Sequence, residues 1–191
     1  MNIITILGSP RERGNTATLL GWFEAVAQKQ HIIERINLAG TALHGCLGCD
    51  GCQHITDQPG CVQKDQISAI LRQLPATGLI VYASPVYAWD FTAQMKTLFD
   101  RHYCLLKWKD RSQPSALLDQ KRVVLLVTCG GGAAGNADLI QEIFHRQMRY
   151  LHCRIAGQYI QDNCSTPVNL PVTARESVQR MAADVLQTLS P

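Results

Sequence analysis

Asn2-Ile3-Ile4-Thr5-Ile6-Leu7, followed by Gly8-Ser9-Pro10-Arg11-Glu12-Arg13-Gly14-Asn15-Thr16, is the stretch on which the fold turns. Its first six residues are a short apolar run rich in isoleucine, and Gly8-Ser9-Pro10 ends it; this is the pattern of a buried strand. Asn15 or Thr16 then suits a helix cap, because Leu19, Leu20, Phe23, Val26 and Ala27 follow at helical spacing. Strand, loop and helix succeed one another within 27 residues.

The same alternation repeats downstream. A second strand is expected near His31 to Leu38, a third over Leu79-Ile80-Val81-Tyr82-Ala83, a fourth over Val123 to Thr128 and a fifth near Arg154 to Ile160. Helices are expected from Asp65, over Phe91 to Tyr103, near Ala137 to Tyr150 and from Val172 to Leu189. Residues 39–64 carry neither period and read as an insertion loop. Five strands alternating with five helices predict an α/β fold with a parallel sheet covered on both faces. Ligands bind such sheets beyond the carboxyl ends of the strands, where strand order reverses. In a sheet of order 2-1-3-4-5, the first, third and fourth strands are central neighbours, so their loops meet at one mouth.

Composition bounds the reading. With 191 residues, 46% hydrophobic and 17% charged, the chain fits one domain over 1–191 with a sizeable core. The start lacks a basic segment and its apolar run is short for an export signal. No apolar stretch approaches the roughly 20 residues that cross a bilayer. A cytoplasmic protein with no membrane partner is therefore expected. The net charge of +3 comes from scattered basic residues, which points away from nucleic acid and suits small anions.

Three loops carry candidate chemistry. In the first, a helix N-terminus offers free N–H groups and the positive end of its dipole. Ser9, Asn15 and Thr16 add donors, and Arg11 or Arg13 adds charge, so the loop suits a phosphate. It matches neither the P-loop nor the dinucleotide GxGxxG pattern. The second loop, Ser84-Pro85-Val86-Tyr87-Ala88-Trp89-Asp90, offers apolar and aromatic surface for one face of a flat ring. The third, Thr128-Cys129-Gly130-Gly131-Gly132-Ala133-Ala134-Gly135-Asn136, lets backbone N–H groups approach a ligand's carbonyl edge. Each loop also reads as an ordinary turn when taken alone.

Taken together, Gly8-Ser9-Pro10-Arg11 with Gly14-Asn15-Thr16, then Ser84-Pro85-Val86-Tyr87, Met95-Lys96 and Phe99-Asp100-Arg101, resemble the signatures of the flavodoxin-like NAD(P)H-dependent FMN reductases. The resemblance covers about residues 1 to 135 and implies a flavodoxin-like three-layer sandwich. It also implies non-covalent FMN, NADH or NADPH as co-substrate, a quinone, flavin or similar small-molecule electron acceptor, and a homodimer or homotetramer. Carried over by position, Ser9, Arg11, Asn15 and Thr16 hold the FMN phosphate. Pro85, Val86, Tyr87 and Ala88 line the ring, and Thr128, Gly130 and Gly131 meet its polar edge. No side chain is assigned a catalytic role, because the cofactor carries the chemistry. A flavodoxin-type electron carrier is the competing function. The two arginines of the first loop and the positive net charge favour the reductase.

Eight cysteines are many for a chain expected in a reducing compartment. Cys46, Cys49 and Cys52 recur at every third residue and Cys61 follows after a gap of eight residues. This spacing suits a 4Fe–4S cluster, four thiolates also suit structural zinc, and free thiols in an irregular loop are the plain reading. The run further resembles the iron–sulfur flavoproteins, a branch of the same family, in which the last gap is usually shorter. A redox or metal sensor built on Cys46–Cys61 is a third function.

Overall fold

β1 (Asn2–Leu7) is an interior strand of the sheet, because Ile3, Ile4, Thr5, Ile6 and Leu7 are all buried and leave it no side for water. The computed structural model describes residues 1–108, 114–166 and 168–189. Chain order continues with α1 (Asn15–Ala27), β2 (Ile32–Asn37), α2 (Gln66–Gln73), β3 (Leu79–Pro85) and α3 (Ala93–Arg101). Then come β4 (Leu106–Lys107), β5 (Ser115–Ala116), β6 (Arg122–Thr128), α4 (Asp138–Tyr150), β7 (Arg154–Gln161) and α5 (Val172–Gln187).

Five strands pair in parallel in the order β2-β1-β3-β6-β7, the flavodoxin-like arrangement and the expected 2-1-3-4-5. Alternate residues of the central strands face opposite layers. Ile3, Leu7, Val81, Val124 and Leu126 meet Leu19, Leu20 and Phe23 of α1 with Val178, Ala182 and Val185 of α5. Ile4, Ile6, Ile80, Tyr82 and Leu125 meet Ile67 and Leu71 of α2, Met95 and Phe99 of α3, and Phe144 and Met148 of α4. The three layers follow from that alternation.

Three details depart from the sequence expectation. Gly14, not Asn15 or Thr16, is the N-cap of α1, and no side chain caps that helix. The helix expected from Phe91 begins at Ala93, because the Thr92 hydroxyl accepts from the Met95 N–H and caps it there. The antiparallel pair of β4 and β5 is an additional small ribbon whose two-residue strands are too short to show a period. Among the described residues no helix is long and apolar enough to cross a membrane.

Candidate functional site

The loops after β1, β3 and β6 are stitched together by backbone hydrogen bonds at the carboxyl edge of the sheet. Gly8 N–H donates to the Ala83 carbonyl at 2.8 Å, and Val86 N–H donates to Thr128 at 2.8 Å. Thr92 Oγ1 donates to the Gly8 carbonyl at 2.6 Å, and Gly8 lies so close to α3 that an added Cβ would stand 2.9 Å from Met95 Cβ. Glycine is needed there by close approach.

Between these loops lies an open cavity of about 620 Å³, within the range of small-molecule sites. Nine of the eleven residues expected to bind cofactor line it: Ser9, Arg11, Asn15, Thr16, Pro85, Val86, Tyr87, Thr128 and Gly130. Ala88 and Gly131 fall outside the lining. Ala88 sits at the tip of a turn closed by Tyr87 and Asp90, which exchange backbone bonds of 2.9 and 3.0 Å. Ala88 and Trp89 both hold positive φ, 49° and 63°, in this turn. Tyr87, which lines the cavity, is 43% exposed, and Trp89 in the same turn is 58% exposed.

A fourth wall has no counterpart in the sequence reading. After β7 the chain folds back, with Cys129 N–H donating to the Gln161 carbonyl and Cys164 N–H to the Cys129 carbonyl, each at 2.9 Å. This brings Cys164, Ser165, Thr166 and Val168 to the cavity. Arg11 Nη1 donates to Thr166 Oγ1 at 3.0 Å, and Asn15 Nδ2 donates to the Ser165 carbonyl at 2.8 Å. At the floor, the buried hydroxyls of Thr16 and Thr128 share a 2.7 Å bond that fixes the first turn of α1 to the end of β6.

The electrostatics have one sign. Arg11 and Arg13 line the cavity, and the described lining residues include no carboxylate. The first turn of α1 holds no acidic residue and no side-chain cap, so its N–H groups point unpaired towards the cavity end of the helix. Among the described residues, the buried Asn15 Oδ1 has no hydrogen-bond partner. An anion with attached hydroxyls supplies what these groups lack: negative charge for the arginines and helix end, and a donor for Asn15 Oδ1. FMN has both features, so the residues present fit it. Burial raises the Cys129 thiol, and burial together with Cys129 pushes Cys164 up to about 11. Both remain thiols at neutral pH, and the cavity offers no activated nucleophile.

The cysteine loop forms a second place of interest. Cys46, Cys49, Cys52 and Cys61 all line one narrow hollow, with Cys104, Arg101 and Tyr103 behind them. Cys46 and Cys49 are exposed, Cys52 is buried and Cys61 half-buried. Among the described residues no three His, Cys, Asp or Glu side chains converge as a single metal ion would require. Four thiols around one hollow still form the donor set of a multinuclear thiolate cluster, whose core holds its ligands farther apart than one ion does. The donor chemistry therefore fits such a group.

Known proteins share this chain's family and fold. The NADPH-dependent FMN reductase family matches residues 1–162. An iron–sulfur flavoprotein of Archaeoglobus fulgidus is 32% identical over 102 residues, which are 53% of this chain and 45% of the relative. Another, from Methanocaldococcus jannaschii, is 36% identical over 102 residues, 53% of this chain and 51% of the relative. In both alignments the chain spans about half the length of the curated relative it matches. The FMN-dependent NADH-azoreductase of Bacillus anthracis, solved with FMN, superposes with a TM-score of 0.72 at 13% identity, covering 99% of each chain. At that identity the likeness is one of fold.

Proposed function

The chain belongs to the NADPH-dependent FMN reductase family, and from that premise we propose that it is an FMN-dependent oxidoreductase acting between NAD(P)H and a small acceptor. The acceptor class is a quinone, a flavin or a similar small molecule. One observation carries the reading: a cavity at the carboxyl edge of the sheet with two arginines, an uncapped helix N-terminus and no carboxylate among its described lining residues. FMN, when bound, supplies the acceptance and release of a hydride.

The chain's own residues bind and orient. Ser9, Arg11, Asn15 and Thr16 hold the phosphate, with Thr166 and Ser165 steadying Arg11 and Asn15 from across the cavity. Pro85, Val86 and Tyr87 cover the ring, and Thr128 and Gly130 meet its polar edge. Ala88 and Gly131 act from just outside the lining, Ala88 by shaping the turn that carries Tyr87. The open mouth beside Tyr87 and Trp89 leaves room for nicotinamide and acceptor to use one place in turn. We read residues 1–191 as one domain, working in the cytoplasm as a homodimer or homotetramer. Light scattering measures the oligomer.

The test is an FMN titration of the purified protein, followed by NADH and NADPH oxidation with a quinone present. Binding with about one FMN per chain and acceptor-dependent turnover is the expected result. A chain that takes up no FMN sinks the proposal.

A second reading, the iron–sulfur flavoprotein, is favoured by the four cysteines that share one hollow. Here the chain passes electrons between flavin and a redox partner. Iron and acid-labile sulfide, assayed in protein purified without oxygen, decide between the two readings.

A further inference from the structure

Two fully buried cations stand behind the cysteine hollow, and the flavin site uses neither. Arg101, at the end of α3, is 2% exposed, and Lys107, in β4, is 1% exposed. Arg101 Nη2 donates to Cys61 Sγ at 3.2 Å and to Ser68 Oγ at 2.7 Å, while Nη1 donates to Asp65 and to the His44 carbonyl. Lys107 Nζ donates to the carbonyls of Cys52 and Pro59, each at 3.0 Å.

One of the two cations lacks a bonded anion. Asp65 is the single carboxylate hydrogen-bonded to this pair among the described residues, and it serves Arg101. Lys107 has carbonyls for partners, and the exposed Asp57 attracts it without a bond. Burying an ammonium without a bonded anion costs several kcal/mol, and although Asp50 lines the hollow, no carboxylate among the described residues is hydrogen-bonded to Lys107. Free neutral thiols do not offset its charge, whereas a thiolate-bound cluster does.

We propose that Arg101 and Lys107 are positioning residues for an anionic iron–sulfur cluster held by Cys46, Cys49, Cys52 and Cys61, and that their charge raises its reduction potential. The inference rests on the iron–sulfur reading above. Each electron the cluster accepts makes it one unit more negative, so a fixed cation nearby favours the reduced state. The N–H donated to Cys61 Sγ acts in the same direction. The same contacts tie the loop down at Cys52, Pro59 and Cys61, where free chain would otherwise wander.

The test uses full-length protein with FMN, reconstituted anaerobically with ferrous iron and sulfide. Dithionite supplies one electron per cluster in a redox titration followed by electron paramagnetic resonance. Lys107→Gln removes the charge and keeps an N–H donor. Arg101→Lys keeps the charge and loses the contact to Cys61. At the wild-type midpoint, Lys107→Gln should raise the oxidised-to-reduced ratio of the cluster about tenfold (~59 mV lower for one electron). Arg101→Lys should move it less, in the same direction. The flavin midpoint, read in the same titration, should stay in place.

Loaded variants with unmoved cluster midpoints overturn the proposal and leave the iron–sulfur reading intact. Variants that fold by circular dichroism yet take up no cluster also count against it, since lost charge alone leaves all four thiols present. Wild-type protein that gains neither iron nor sulfide removes both readings at once, while its FMN titration is unaffected.

Discussion

Arg11 and Thr16 meet the same cavity in opposite ways, one from solvent and one from the buried floor. Arg11 is exposed and its guanidinium is held, among the described residues, by one neutral partner, Thr166 Oγ1, so it can turn to a phosphate. A charge-assisted hydrogen bond is stronger than a neutral one, and Arg11→Ala should weaken FMN binding roughly tenfold or more. Riboflavin has no phosphate, and its affinity should not change; fluorescence titration with both flavins checks this, and an equal loss for each would remove Arg11 from the phosphate site. Thr16 is a different case, because its hydroxyl pairs with Thr128 away from water. Thr16→Val leaves the Thr128 hydroxyl buried without its partner, at a cost of about 1–3 kcal/mol in a urea melt. Adding Thr128→Val removes the stranded group, so the double variant should recover most of the loss. These polar residues were legible from sequence because each lies within a few positions of a strand end, where a parallel sheet exposes its loops. Their partners Ser165 and Thr166 were not, since they stand 150 and 155 residues away and follow a strand with no glycine or proline signal at its end.

The turn after β3 is the element where local preference and observed backbone disagree. Positive φ at two successive residues suits Asn-Gly, yet Ala88 and Trp89 occupy them. A left-handed residue with a Cβ costs about 1–2 kcal/mol, and such strain persists where surrounding structure holds it. Here the Tyr87–Asp90 bonds close the turn and aim Tyr87 at the cavity. Ala88→Gly should therefore raise stability by somewhat less than about 1 kcal/mol, because glycine's extra freedom when unfolded returns part of the gain. The same change should lower FMN affinity, as the turn no longer fixes Tyr87. A melt and a titration on one sample check both signs; equal affinity would show that the turn is merely strained. The sequence reading places a loop over Ser84–Asp90 but not the left-handed turn at its tip, since Tyr-Ala-Trp-Asp carries no turn signature. The ribbon of β4 and β5 escaped for a related reason: it is held by tertiary bonds, among them Gln53 Nε2 to the Leu106 carbonyl at 3.0 Å, not by any pattern of its own.

At the scale of the whole molecule, the parallel sheet was readable because β1, β3 and β6 are buried on both faces and are therefore nearly continuous apolar runs. The same depth of burial sets how the protein responds to acid. His102 lies against Tyr82 and Phe99 behind α3, with ring centroids 5.9 and 5.1 Å away, and its Nε2 has no partner among the described residues. Burial lowers its pKa from the usual 6.5 to about 3. As pH falls below 6.5 the unfolded chain takes up this proton and the native chain does not, so stability falls by about 1.4 kcal/mol per pH unit until pH 3. Asp65 acts in a lower window. Burial alone pushes its carboxyl up, but hydrogen bonds from Arg101 and Ser68 outweigh this and hold it at about 2, below the usual 3.8. Its contribution is complete above pH 3.8 and disappears as pH falls through 2. Between pH 6 and 4, then, His102→Leu should flatten the stability curve by about 1.4 kcal/mol per unit while Asp65→Asn keeps the wild-type slope. Asp65→Asn should instead lower stability by about 3–5 kcal/mol at neutral pH, because it strands the buried Arg101 charge, and should lose part of the wild-type slope below pH 4. Urea melts of the three proteins at half-unit steps separate the two windows. Parallel curves for His102→Leu and wild type would show that this histidine is protonated in the native protein, and that water reaches the aromatic cluster around it.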